Sequence, residues 1–151
     1  MNKAKLQEFF IKARSKTYAS GQGKVTPLLT GSYQYEYKEG KFLYRDIYNM
    51  GNGLFVGLET IYFEESPVLS VSYFGNFTKM SEEEVDKVLR KVLSEKADSV
   101  RLWNHVEWKS ENFEYVCEGE VGSIDEFSGT EKLLKNGEQV YYFYYAGGFI
   151  G

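Results

Sequence analysis

The chain has 151 residues, a net charge of -4, one cysteine and one histidine, which is enough for one ordinary domain with a real core. A lone Cys117 excludes an internal disulfide, and with only His105 beside it the usual cysteine and histidine zinc patterns cannot be assembled. The expected setting is a reducing cytosol, with neither leader nor membrane span, because no apolar run approaches the roughly 20 residues that cross a bilayer.

Leu6, Phe9, Phe10 and Ala13 recur at helical spacing, so residues 3–16 read as an amphipathic helix with lysines on its other side. Residues 1–24 carry Lys3, Lys5, Lys12, Arg14, Lys16 and Lys24 against Glu8 alone, a basic arm on an acidic body. That arm either meets an acidic partner or pairs with the protein's own acidic surface. Tyr18-Ala-Ser-Gly-Gln-Gly23 reads as a loop, and its glycines lack the preceding strand and the spacing of a phosphate-binding turn. No cofactor signature is found.

From Tyr33 the period changes to two. Tyr33 to Tyr37 alternates, Lys38 to Lys41 turns, and Phe42 to Tyr48 returns as the second strand of a hairpin; Leu54 to Phe63 and Val68 to Phe74 continue the series. Ser81-Glu-Glu-Glu84 is a capping box, and Val85, Val88, Leu89, Val92 and Leu93 supply the buried stripe of a second helix ending near Lys96. Four more strands follow, near Val100 to Trp108, Phe113 to Glu118, Phe127 to Leu134 and Val140 to Ala146, with Asn136-Gly137 as a hairpin turn.

The two halves share spacings. Phe42 and Tyr44 recur as Phe113 and Tyr115 at an offset of 71, and Phe55-x-Gly57-x-Glu59 recurs as Phe127-x-Gly129-x-Glu131 at 72. Val68, Tyr73, Gly75 and Phe77 then match Val140, Tyr145, Gly147 and Phe149. The expectation is an α+β protein, an internal duplication of a helix plus four-stranded antiparallel meander with pseudo-twofold symmetry. Its halves, about 3–78 and 80–150, would share one core in a single domain over 1–151.

A period of two places Phe55, Gly57 and Glu59 on one strand face, and Phe127, Gly129 and Glu131 likewise. The glutamates are either a carboxylate pair flanking a shared cleft, able to hold a cationic or hydroxylated ligand or to act as acid and base, or each caps a turn or pairs with a lysine at a sheet edge. The aromatic content, 17% of residues, reads as a stacking platform or as plain sheet propensity. Val140 to Tyr145 has aromatics on both faces, so that strand is covered twice or exposes a patch. Cys117 reads as a small core residue, and no spacing gives His105 a nucleophile or an orienting acid.

Phe10 to Ala19, Tyr44-Arg-Asp46-Ile-Tyr48, Phe55 to Glu59, Pro67-Val with Tyr73-Phe-Gly75, and Phe127 to Glu131 with Gly147-Gly148 resemble a bacterial domain family of unknown function. Its members occur alone or behind a Cro/repressor (XRE)-type helix-turn-helix. The chain departs where similar sequences read Trp-x-Met-Asn-Tyr, here Leu69 to Tyr73, and His-Gly-Gly, here Ala146 to Gly148. The resemblance implies an association with regulation. Without a helix-turn-helix ahead of the domain, direct DNA binding is not expected.

Together these readings point to a non-enzymatic module that binds a small molecule or a protein. Its candidate contacts are Tyr44, Asp46, Tyr48, Phe55, Gly57, Glu59, Tyr73, Gly75, Phe127, Gly129, Glu131 and Tyr145. The alternatives are an enzyme with Glu59 or Glu131 as general base, and an inhibitor-like interaction domain resembling β-lactamase-inhibitor-like proteins in architecture.

Overall fold

The computed structural model describes residues 1–151, the side chain of Val121 excepted. Helix α1 (Lys3–Ser15) is followed by a 3-10 turn at Tyr18–Ser20 and by strands β1 (Lys24–Val25), β2 (Tyr33–Glu39), β3 (Phe42–Gly51), β4 (Leu54–Phe63) and β5 (Ser66–Asn76). Helix α2 (Glu82–Glu95) then leads to β6 (His105–Lys109), β7 (Phe113–Ser123), β8 (Glu126–Lys135) and β9 (Glu138–Phe149).

The strands form one nine-stranded antiparallel sheet in the order β1-β2-β3-β4-β5-β9-β8-β7-β6. Its seam is the β5–β9 pair, which runs from Leu69 opposite Phe149 to Asn76 opposite Tyr142. At the β8–β9 hairpin, Asn136 and Gly137 take φ of 50° and 83°, the positive values that a two-residue turn between twisted strands requires.

The expected α+β duplication of two helix-plus-four-stranded-meander units is overturned. About half of the residues lie in strands and a fifth in helices, all the strands belong to one sheet, and no duplicated four-strand meander is present. Tyr44 and Tyr115 each donate to a buried glutamate, but other matched positions do different work. Asp46 faces Glu59 across β3 and β4, whereas the residue facing Glu131 across β7 and β8 is Cys117. The Tyr73 hydroxyl donates to Asp46, but that of Tyr145 donates to the Leu102 carbonyl. Alternating aromatics at a constant stride are what half-buried antiparallel strands tend to carry.

Both helices lie on one face of the sheet. Helix α1 starts at Asn2, whose side chain accepts from the Lys5 amide at 3.1 Å, and it buries Leu6, Phe9, Phe10 and Ala13. Two of its lysines are turned to the protein itself: Lys3 pairs with Asp125 and Lys12 with Glu39. Helix α2 is capped by Ser81, whose hydroxyl accepts from the Glu84 amide, and its buried stripe of Val85, Val88, Leu89, Val92 and Leu93 lies over the sheet. The segment expected as strand from Val100 instead turns until His105. The opposite face of the sheet is open, with Val56, Leu58 and Tyr144 about half exposed. Among the described residues no helix is long and apolar enough to cross a membrane.

Candidate functional site

The helix-covered face of β3 and β4 brings two carboxylates directly opposite each other, Asp46 and Glu59, with exposures of 7% and 6%. Like charges facing across an antiparallel pair destabilise it, so the two acids need different treatment. Glu59 receives a forked contact from Arg14 of α1, Nε to Oε1 at 2.8 Å and Nη2 to Oε2 at 2.7 Å. The Tyr44 hydroxyl donates to Oε1 as well, at 2.7 Å. Burial works to raise this carboxyl, but the Arg14 charge and hydrogen bonds outweigh it and hold Glu59 below its ordinary range.

Asp46 has no such cation. The one hydrogen bond to its carboxyl group among the described residues comes from the Tyr73 hydroxyl, at 2.5 Å. Burial first, and the charge of Glu59 second, push its pKa up to about 7 against the opposing influence of the Tyr73 bond, Arg101 and Arg14. The protein therefore keeps one ionised and one proton-holding acid side by side, each defined by its neighbours.

A second buried acid, Glu131 on β8, is 1% exposed. It accepts from Arg101 Nη2 at 2.7 Å, from the Tyr141 hydroxyl at 2.6 Å and from the Tyr115 hydroxyl. Arg101 lies in the turn after α2 at a φ of 55°, a left-handed conformation that costs a non-glycine residue energy and that only a fixed surrounding maintains. Its guanidinium stands 4.2 Å over the Phe143 ring, and its buried Nε has no hydrogen-bond partner among the described residues.

Above Asp46 and Glu59 is a pocket of about 160 Å3 between the sheet, the end of α1, the 3-10 turn and α2. Its walls are aromatic and aliphatic: Tyr18, Tyr33, Tyr35, Tyr48, Phe55 and Tyr73, with Val85, Leu89 and Leu93 from α2. Tyr35 and Tyr33 both stack with Tyr48, at 6.4 and 5.3 Å between centroids. Tyr18 meets Tyr35 edge-on at 6.2 Å. Exposed Lys24 and Glu82 mark the rim, and Asp86 and Arg90 also line the space.

Of the residues expected from sequence, Tyr44, Asp46, Tyr48, Phe55, Glu59 and Tyr73 line this pocket. Gly57 and Gly75 lie beneath it as seats for rings: a Cβ at Gly57 would stand 2.3 Å from the Tyr73 hydroxyl oxygen, and one at Gly75 2.0 Å from the tip of Phe55. Phe127, Gly129, Glu131 and Tyr145 are not among its lining residues. Glu131 reaches the pocket through its partners, Arg101 in the lining and Tyr141 stacked on Phe55, and does not itself line the space beside Glu59.

Sequence reasoning missed Arg14, Tyr18, Tyr35 and Arg101 as part of this site. Arg14 had a readable signal, since it extends the Leu6 and Phe10 stripe by one further helical step. Arg101 had none, because the alternation of Val100 and Leu102 reads as a strand, whereas the segment is a turn.

Elsewhere, Cys117 is a buried thiol whose pKa burial raises, within 3.5 Å of the Tyr145 hydroxyl. His105 is exposed between Glu118 and Glu107, at 3.0 and 3.3 Å. Among the described residues no group of three or more histidine, cysteine or acidic side chains is placed to hold a metal ion.

Residues 46–150 match the profile of a family described as a domain of unknown function, DUF5680. No curated protein and no solved structure matches the chain.

Proposed function

We propose, from the premise that this chain belongs to the DUF5680 family of unknown function, that it is a non-enzymatic module that binds a small molecule in the pocket over Asp46. The observation that carries this reading is a concave space with aromatic walls around one buried acid that forms no ion pair among the described residues, the usual composition of a ligand site. A catalytic role for the glutamates fits the geometry less well. Glu59 has its oxygens occupied by Arg14 and Tyr44 and is held in its weakly basic form. Glu131 is enclosed by Arg101, Tyr115 and Tyr141. The association with regulation is carried only by the resemblance to domains that follow a helix-turn-helix.

A thermal-shift screen of metabolites tests the reading. A ligand at about 100 times its dissociation constant stabilises the native state by about 2.7 kcal/mol, worth roughly 5 to 10 °C in Tm for a chain of this length. A hit is expected to lose most of its shift in Asp46→Asn and in Tyr48→Ala. A library without hits, or hits indifferent to both substitutions, would remove the pocket from consideration.

A protein contact is the second reading, favoured by the half-exposed Val56, Leu58 and Tyr144 on the uncovered sheet face. Self-association in sedimentation that Leu58→Glu abolishes would favour it over the pocket.

A further inference from the structure

Among the less buried lining groups the charges are two of each sign, Lys24 and Arg90 against Glu82 and Asp86, but the buried charges at the base of the pocket do not balance. Arg14 is tied to Glu59 and Arg101 to Glu131, two matched pairs. Asp46 is the remaining acid at the base, and when ionised it leaves the cluster with one uncompensated negative charge. A buried charge without a partner is costly, so a protein either leaves such a group protonated or supplies a counter-charge.

We infer that the ligand supplies it: the pocket takes an organic monocation with a small apolar body, an alkyl- or aryl-ammonium, with its charged nitrogen against the Asp46 carboxyl group. This rests on the small-molecule reading above and names its ligand class.

Three further observations agree. The walls are rings, whose faces attract positive charge, and the protein already uses these rings that way: Lys24 Nζ lies 5.2 Å from the Tyr33 centroid and the Arg90 guanidinium 5.0 Å from that of Tyr18. The volume, about 160 Å3, is close to the roughly 150 Å3 of an engineered apolar cavity that holds benzene. It fits one ring or a short branched chain, and a nucleotide is too large. An anion at the base, by contrast, would be set against Asp46 and Glu59, where the Arg14 and Arg101 guanidinium groups are already engaged by carboxylates.

The groups that face Asp46 set the pH behaviour. They are Tyr35 from β2, Glu59 from β4, Tyr44 and Tyr48 from its own strand, Tyr73 from β5, Arg14 from α1, Arg101 from the turn after α2, and Tyr18 with Asp86 and Arg90 across the pocket. A cation binds the ionised form, so its apparent affinity is reduced by the fraction of Asp46 still protonated. With a pKa of about 7 that fraction is about half at pH 7 and falls to about a tenth one unit higher.

The test uses three probes of one size: benzylammonium, benzyl alcohol and benzoate. Each is titrated into the isotope-labelled protein by NMR, with the Asp46 carboxyl 13C shift followed alongside. Benzylammonium is expected to bind best and to tighten by up to about 100-fold from pH 5 to pH 8. It should weaken at least tenfold in Asp46→Asn, which keeps an acceptor for Tyr73, and benzyl alcohol should change little. Should the substituted protein fail to fold, the carboxyl titration in the unaltered chain still decides, because a bound cation must lower its midpoint. Benzyl alcohol or benzoate binding as tightly at the same residues would overturn the charge assignment and leave the small-molecule reading standing. No shift in the pocket with any of the three overturns the cation and, with a silent metabolite screen, the pocket itself.

Discussion

At the scale of single residues, Asp46 and Glu59 behave oppositely because one has a cation and the other has not. Asp46 holds its proton up to about pH 7 in the folded protein and to about pH 4 in an unfolded chain. Its contribution to stability is therefore complete below pH 4 and is lost as pH rises to 7. Asp46→Asn does not titrate. The variant is expected to gain on the unaltered protein by about 1.4 kcal/mol per pH unit between pH 5 and 7, with no further gain above. Urea unfolding at four pH values would show this, and a constant difference would mean that Asp46 titrates normally. Glu59→Gln works the other way. It leaves the Arg14 guanidinium, only 15% exposed, without its charge partner, and breaking such a pair costs about 3 to 5 kcal/mol. The midpoint of unfolding should fall accordingly at neutral pH, and the difference should shrink only as pH falls through the lowered pKa of Glu59. The period-two pattern placed both acids on one face, but it could not say which would receive the arginine. That depends on where α1 crosses the sheet, a contact 45 residues away along the chain.

Elements were legible where a local rule acts alone. The α2 cap at Ser81 and its five-residue stripe could be read from spacing, as could Asn136-Gly137, where backbone conformation follows from residue type. The start of β6 could not. Val100 and Leu102 are apolar and buried in a turn, because tertiary packing rather than strand pairing takes them in. The sheet edges are guarded in ways the sequence suggests only afterwards: β1 has two residues, and β6 exposes His105, Glu107 and Lys109 between its buried Val106 and Trp108. Helix α2 forms one wall of the pocket, and its first turn carries Glu82, Glu83 and Glu84, which suit the positive end of the helix. Ser81→Ala removes the cap acceptor and should cost about 1 kcal/mol. That loss should appear in thermal unfolding, with earlier amide exchange in the first turn of α2 than in β4.

At the scale of the molecule, the seam between β5 and β9 joins segments that the sequence suggested were repeats. Gly147 is placed where a Cβ would stand 2.1 Å from the Ser70 carbonyl oxygen, so the strands are close there and side chains cannot intervene. One continuous sheet is expected to unfold in a single step. Trp103 and Trp108 both lie in the second half of the chain, so their fluorescence reports on that half while far-ultraviolet circular dichroism reports on the whole. Coincident urea transitions by the two signals are the expected result, and separated midpoints would mean that the seam does not couple the halves. The contact between α2 and the 3-10 turn has a temporal side. Tyr18 donates to Asp86, Arg90 Nε donates to the Tyr18 carbonyl at 3.0 Å, and Ser94 donates to that of Ala19 at 3.3 Å. These bonds clasp two sides of the pocket to each other. For a molecule filling that space, arrival and departure wait on the same clasp, so how long it stays is set by how often three hydrogen bonds let go together, and only partly by how tightly it is held.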